Sequence, residues 1–106
     1  MNNLEPLGDF DSLKKPISWM LSSIHTFEEG LLDKKTVSTL ATKTLKKIKK
    51  YTPKPEEKEN YEAVVDLCVS LSTIDRAEDN FKKFYLSSLK EELNKVLSLL
   101  EEENNE

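Results

Sequence analysis

Hydrophobic residues recur along the 106-residue chain at steps of three and four, and they sort into four stripes. The first is Phe10, Leu13, Ile17, Met20, Ile24, Phe27 and Leu31, spaced 3, 4, 3, 4, 3, 4 without a miss. Such a seam is one side of an amphipathic helix, expected over about 10–30. Asp9, Asp11 or Ser12 supplies its cap, and Pro16 falls near the first turn, where a missing N–H costs little. Gly30 ends it in the left-handed conformation that glycine takes cheaply, with Leu31 expected to fold back over the last turn.

The second stripe is Val37, Leu40, Ala41, Leu45, Ile48 and Tyr51, on a helix over 33–51 capped by Asp33. The segment TPKPEE then interrupts the pattern: Pro53 and Pro55 exclude helix up to about Lys54, while Pro55 suits the first position of the next helix. The third stripe, over 55–76, carries Tyr61, Val64, Val65, Leu67, Cys68, Leu71 and Ile74. Apolar residues take more than half of that helix's circumference, so it is expected to be the most buried.

After Ile74 comes DRAEDN, with capping-box spacing between Asp75 and Glu78 and with Asp79 or Asn80 as caps. The last stripe, over 79–101, is Phe81, Phe84, Tyr85, Leu86, Leu89, Leu93, Val96, Leu97 and Leu100. A break at 75–80 gives four helices of similar length and the expectation of an all-α, antiparallel up-down-up-down four-helix bundle over 9–102. Without that break, 55–102 is one helix about 70 Å long that needs a second chain to cover its seam. Residues 1–8 read as a flexible N-terminal tail and 103–106 as an acidic disordered one. The expected core is Leu13, Ile17, Met20, Ile24, Phe27, Val37, Leu40, Ile48, Val64, Leu67, Cys68, Leu71, Ile74, Leu89, Leu93 and Val96.

Charge changes this picture on one element. The formal net charge is −4, yet residues 1–30 carry −3, residues 31–55 carry +7 and residues 56–106 carry −8. KTLKKIKKYTPKP, at 43–55, holds six lysines. On a helical wheel Lys35, Lys43, Lys46 and Lys50 lie opposite the Val37–Leu40–Leu45–Ile48 stripe, with Lys47 and Lys49 at its margins. The simplest reading is a solvated face, partly complemented by the acidic third and fourth helices. Two functional readings stand beside it, an acidic protein partner and a nucleic-acid backbone. Net acidity and the near absence of arginine for base reading weigh against the second.

Trp19 is the other candidate contact. It sits roughly 135° from the centre of the first stripe, among Ser12, Lys15, Ser22, Ser23 and Thr26. Cover by Leu4, Pro6 and Leu7 of the tail explains it without a partner, and an interface anchored by the indole explains it with one.

The inventory of reactive groups is thin. A single cysteine, Cys68, and a single histidine, His25, exclude an intramolecular disulfide and a Cys/His zinc cluster. His25 reads as a boundary residue and Cys68 as a small core hydrophobe. A di-iron bundle needs two Glu-x-x-His pairs, which one histidine cannot supply. Two glycines, Gly8 and Gly30, leave no phosphate loop or nucleophile elbow. No cofactor, metal or small-molecule substrate is inferred.

No apolar run approaches the roughly 18 residues of a membrane span, and MNNLEPLGDFD lacks the basic-then-apolar order of a signal peptide. A cytoplasmic location is therefore expected. Fifteen lysines, no glutamine and one cysteine lean toward a heat-adapted composition, which seven asparagines blunt. The function expected is that of a non-enzymatic helical protein: a protein–protein interaction module, a homo-oligomer or a subunit of a larger assembly. Trp19, Lys43, Lys46, Lys47 and Lys50 are its candidate interaction surface. The alternative is sequence-independent nucleic-acid binding through the lysine face of the second helix.

Overall fold

The computed structural model describes residues 12–104, with the side chains of 79, 80, 82 and 102–104 outside that description. The chain forms α1 (Lys14–Glu28), α2 (Lys34–Ile48), α3 (Lys58–Ser72) and α4 (Asp79–Asn104). Short 3-10 turns precede α3 at Pro55–Glu57 and follow it at Ile74–Arg76. The described residues contain no strand, and the four helices pack against each other. Residues 75–80 do turn, so the single helix over 55–102 does not form.

The helices are not of matched length. Three have 15 residues and α4 has 26. At ~1.5 Å per residue α4 is about 39 Å long, and it accounts for the 40 Å long dimension of the molecule. Local chemistry sets the shorter bounds. At the start of α1 the Ser12 hydroxyl accepts from the Lys14 N–H at 3.1 Å; Asp9, Asp11 and Phe10 lie outside the described residues, as do the tail at 1–8 and residues 105–106. The α1 terminus is a Schellman turn, in which Gly30 has φ 81°, its N–H reaches the Phe27 carbonyl at 2.9 Å and the Leu31 N–H reaches Thr26 at 3.1 Å. The side chain of Leu31 does not fold back as expected. It stays 72% exposed, and the next residue, Leu32, packs on the core instead.

Asp33 caps α2 by accepting from the Thr36 N–H at 2.7 Å, and this bond holds its carboxyl below the usual value. After α2, the Glu57 carboxylate accepts both the Lys54 N–H at 3.0 Å and the Tyr51 hydroxyl at 2.9 Å. The Tyr61 hydroxyl donates to the Ile48 carbonyl at 3.3 Å, and the Tyr51 and Tyr61 rings stack with centroids 6.4 Å apart. The proline-broken connection is thereby tied to both helices that it joins.

Along the chain, each helix packs on the next, and α4 also returns to pack on α1. Of the sixteen expected core residues, all but Phe27 and Leu67 are buried, and those two are partly buried against the same cluster. The expectation for α3 needs correction: it buries only Val64, Cys68 and Leu71, and Val69 is exposed. Instead, α2 buries six residues, including Ser38, Ala41 and Thr44. These small side chains let the backbones of α2 and α3 approach, and the Cys68 thiol donates to the Ala41 carbonyl at 3.2 Å. Hydropathy alone overrates the large-residue helix, because it does not register how close two backbones can come.

Candidate interaction surface

The fourth stripe divides in two. Leu86, Leu89, Leu93, Val96 and Leu100 are buried, whereas Phe81, Phe84 and Tyr85 are 62%, 78% and 38% exposed. All three belong to the fourth stripe and none to the expected core. They sit at i, i+3 and i+4, so they share one side of the helix; Phe81 and Phe84 turn away from the buried leucines and Tyr85 lies at the margin, one turn from Leu89. The arc of α4 that packs on its neighbours leaves them uncovered: the Glu28 carboxylate in the last turn of α1 meets the Lys90 ammonium at 2.9 Å, and Lys90 lies on the side of α4 opposite Phe81. Lys83 is exposed beside the aromatics.

Taking each ring at the ~200 Å² such side chains present, the three expose roughly 350 Å² together. That falls within the few hundred Å² at which an apolar patch on a monomer is often functional. The sequence carries part of this signal: a wheel drawn for residues 79–101 sets Phe81 and Phe84 about 120° or more from Leu86 and Leu93, with Tyr85 between the two arcs, but it does not say which arc turns inward.

The lysines of α2 lie where the wheel puts them. Lys35, Lys43, Lys46, Lys49 and Lys50 are exposed and Lys47 is half-buried. Among the described residues, Lys46, Lys47, Lys49 and Lys50 form no ion pair, although α2 packs directly on the acidic α3. The carboxylates of α3 therefore do not neutralise them by direct contact.

Trp19 is neither bare nor buried; it is half-exposed and packs on the core cluster. The buried arc of α1 extends to Pro16 and Ser23, on the indole's side of the heptad seam. The Ser23 hydroxyl donates to the carbonyl of Trp19 itself at 3.0 Å, which satisfies it where it is buried on that side of the helix. The tail residues Leu4, Pro6 and Leu7 lie outside the described residues.

The reactive groups stand apart from each other. His25 is exposed, with Nε2 2.9 Å from Glu29, four residues on. Cys68 is fully buried and its thiol is pushed up to about 12 by desolvation. Among the described residues no group of three or more His, Cys, Asp and Glu side chains is placed to hold a metal ion, and no helix is long and apolar enough to cross a membrane.

Compared with known protein families, with curated proteins and with solved structures, the chain matches none. Its surfaces carry the functional reading.

Proposed function

We propose that this protein is a non-enzymatic interaction module, or a subunit of a larger assembly, that meets another protein through the aromatic side of α4. One observation carries the reading: Phe81, Phe84 and Tyr85 are exposed together on the first turns of α4, beside the arc that Leu86, Leu89 and Leu93 bury. Aromatic side chains bury large area at low entropic cost and dominate the energetics of interfaces. The core does not need them where they are, because Leu86, Leu89 and Leu93 already fill it. Trp19 takes a secondary place at the margin of α1. The reading includes an antiparallel up-down-up-down order and a cytoplasmic location. Consistent with that order are the connections of a few residues and the packing of each helix on the next. No cofactor, metal or small-molecule substrate belongs to it.

Affinity capture with wild type and with a Phe81→Ser/Phe84→Ser variant tests it. A partner retained by wild type and lost by the variant, with helix content unchanged, is the expected result. Identical recovery with both removes the aromatic side from the interface.

A second reading rests on three lysines at the end of α2 and just past it. Lys46, Lys49 and Lys50 present a charged row without direct counter-ions among the described residues, which suits a sequence-blind contact with nucleic-acid phosphates. Anisotropy titration into labelled duplex and single strands would then show binding that weakens steeply as salt rises. Lys46→Glu/Lys50→Glu would abolish it, and absence of binding at low salt rules the reading out.

A further inference from the structure

The exposed side of α4 carries a second heptad seam. Phe81, Tyr85, Ser88, Glu92, Lys95 and Leu99 are spaced 4, 3, 4, 3, 4, and every one of them is exposed. The buried seam of the same helix, Leu86, Leu89, Leu93, Val96 and Leu100, runs alongside with the complementary 3, 4, 3, 4 spacing. A sustained step of 3.5 residues keeps one line of side chains facing a neighbouring helix along its whole length. The core uses one such line. The other has no neighbour among the described residues.

We infer that this second seam pairs with the same seam of a second copy, α4 against α4 in antiparallel orientation about a two-fold axis near residue 90. The inference rests on the reading of the aromatic side as an interface and names its occupant. The order of residues supplies the argument. Antiparallel pairing about residue 90 sets Phe81 opposite Leu99, Tyr85 opposite Lys95 and Ser88 opposite Glu92, each pair occurring twice. These are an apolar contact, an aromatic ring against a cation, and a hydroxyl that donates to a carboxylate. No position meets a like charge. A parallel pairing would place Glu92 on Glu92 and Lys95 on Lys95, a repulsion that excludes it. An isologous contact of this kind closes on itself, so it yields a dimer rather than a filament.

Phe81 and Tyr85, with Phe84 beside the seam, expose roughly 350 Å² at ~200 Å² per ring, and Ser88, Glu92, Lys95 and Leu99 are exposed along the same side. A standard interface takes about 800 Å² from each partner, so the side suits a small, reversible dimer contact. Glu92 and Lys95 already sit 3.4 Å apart on the helix, so each is held near the position that the partner's Ser88 or Tyr85 would meet.

The test is sedimentation equilibrium of the full chain over a wide concentration range, joined to photo-crosslinking from a benzoylphenylalanine in place of Tyr85. A concentration-dependent dimer is expected, with the crosslink mapping near Lys95 of the second copy. Phe81→Ser/Leu99→Ser and Lys95→Glu should each raise the dissociation constant at least about tenfold, a loss of ~1.4 kcal/mol. A protein that stays monomeric throughout, or a self-crosslink mapping near residue 85, overturns the antiparallel pair. Crosslinking in whole-cell extract then separates the two ideas. Adducts only with other proteins remove the second copy but keep the aromatic side as an interface; adducts with nothing remove both.

Discussion

The hydroxyl of Ser38, on α2, lies 3.1 Å from the carboxylate of Asp75, in the turn between α3 and α4. The same hydroxyl reaches the Ser72 carbonyl at the end of α3. Nearby, the Lys34 ammonium meets the Ala77 carbonyl at 3.4 Å. One serine therefore ties the N-terminal half of α2 to the turn between α3 and α4, a stretch without glycine or proline.

Ser38→Ala is expected to lower stability by about 1–2 kcal/mol, since it leaves an acceptor at a helix end without its donor. Asp75→Asn, which keeps an acceptor, should cost less. Urea titration followed by helical circular dichroism measures both, and a loss within error for Ser38→Ala would mean that the turn holds without this tie.

Cys68 gives a pH dependence of known sign. Burial raises its thiol from 9.0 to about 12, so above pH 9 the unfolded chain releases a proton that the folded one keeps. Its contribution is complete below pH 9 and is lost as pH climbs toward 12, at up to ~1.4 kcal/mol per pH unit. Wild type should thus lose more stability than Cys68→Ala between pH 8.5 and 10.5 (a window set by that shift). The native thiol should also resist alkylation until the protein is unfolded. Rapid labelling in native buffer would place Cys68 at the surface.

The two sides of α4 should respond oppositely to truncation. Leu86→Ala removes a fully buried side chain and is expected to cost about 2–5 kcal/mol. Phe84→Ala, only two residues away, should stay within ~0.5 kcal/mol, as changes on an open surface do. Thermal or chemical melts compare them directly, below the concentration at which copies associate. Equal losses would mean that the aromatic side is covered by the chain itself.

Trp19 reports on the margin of α1. As a half-buried indole it should emit at a wavelength between those of buried and fully solvated tryptophan, with partial acrylamide quenching. Trp19→Phe should keep the fold and Trp19→Ala should cost about 1–3 kcal/mol, less than a fully buried tryptophan. Emission at the fully solvated limit would contradict the packing.

Periodicity alone determined most of the helical structure. Steps of three and four named the four stripes, and Gly30, Asp33 and Pro55 punctuated them where the structure places the boundaries. These are local choices of backbone conformation, capping and apolar spacing, which a single sequence carries in full. The lysine side of α2 was equally legible, because a wheel opposite a buried stripe needs no tertiary information. Where a stripe was wider than one seam, the sequence could not say which part turns inward. A wheel parts Phe81 and Phe84 from Leu86 and Leu93, but only the packing of α4 on α1 and α3 decides that the leucine arc is the buried one. Likewise, only the close approach of α2 to α3 made Ser38, Ala41 and Thr44 core positions and left Val69 outside. Such choices depend on which surfaces remain once the helices have met. That competition for burial is decided between elements and not within any one of them.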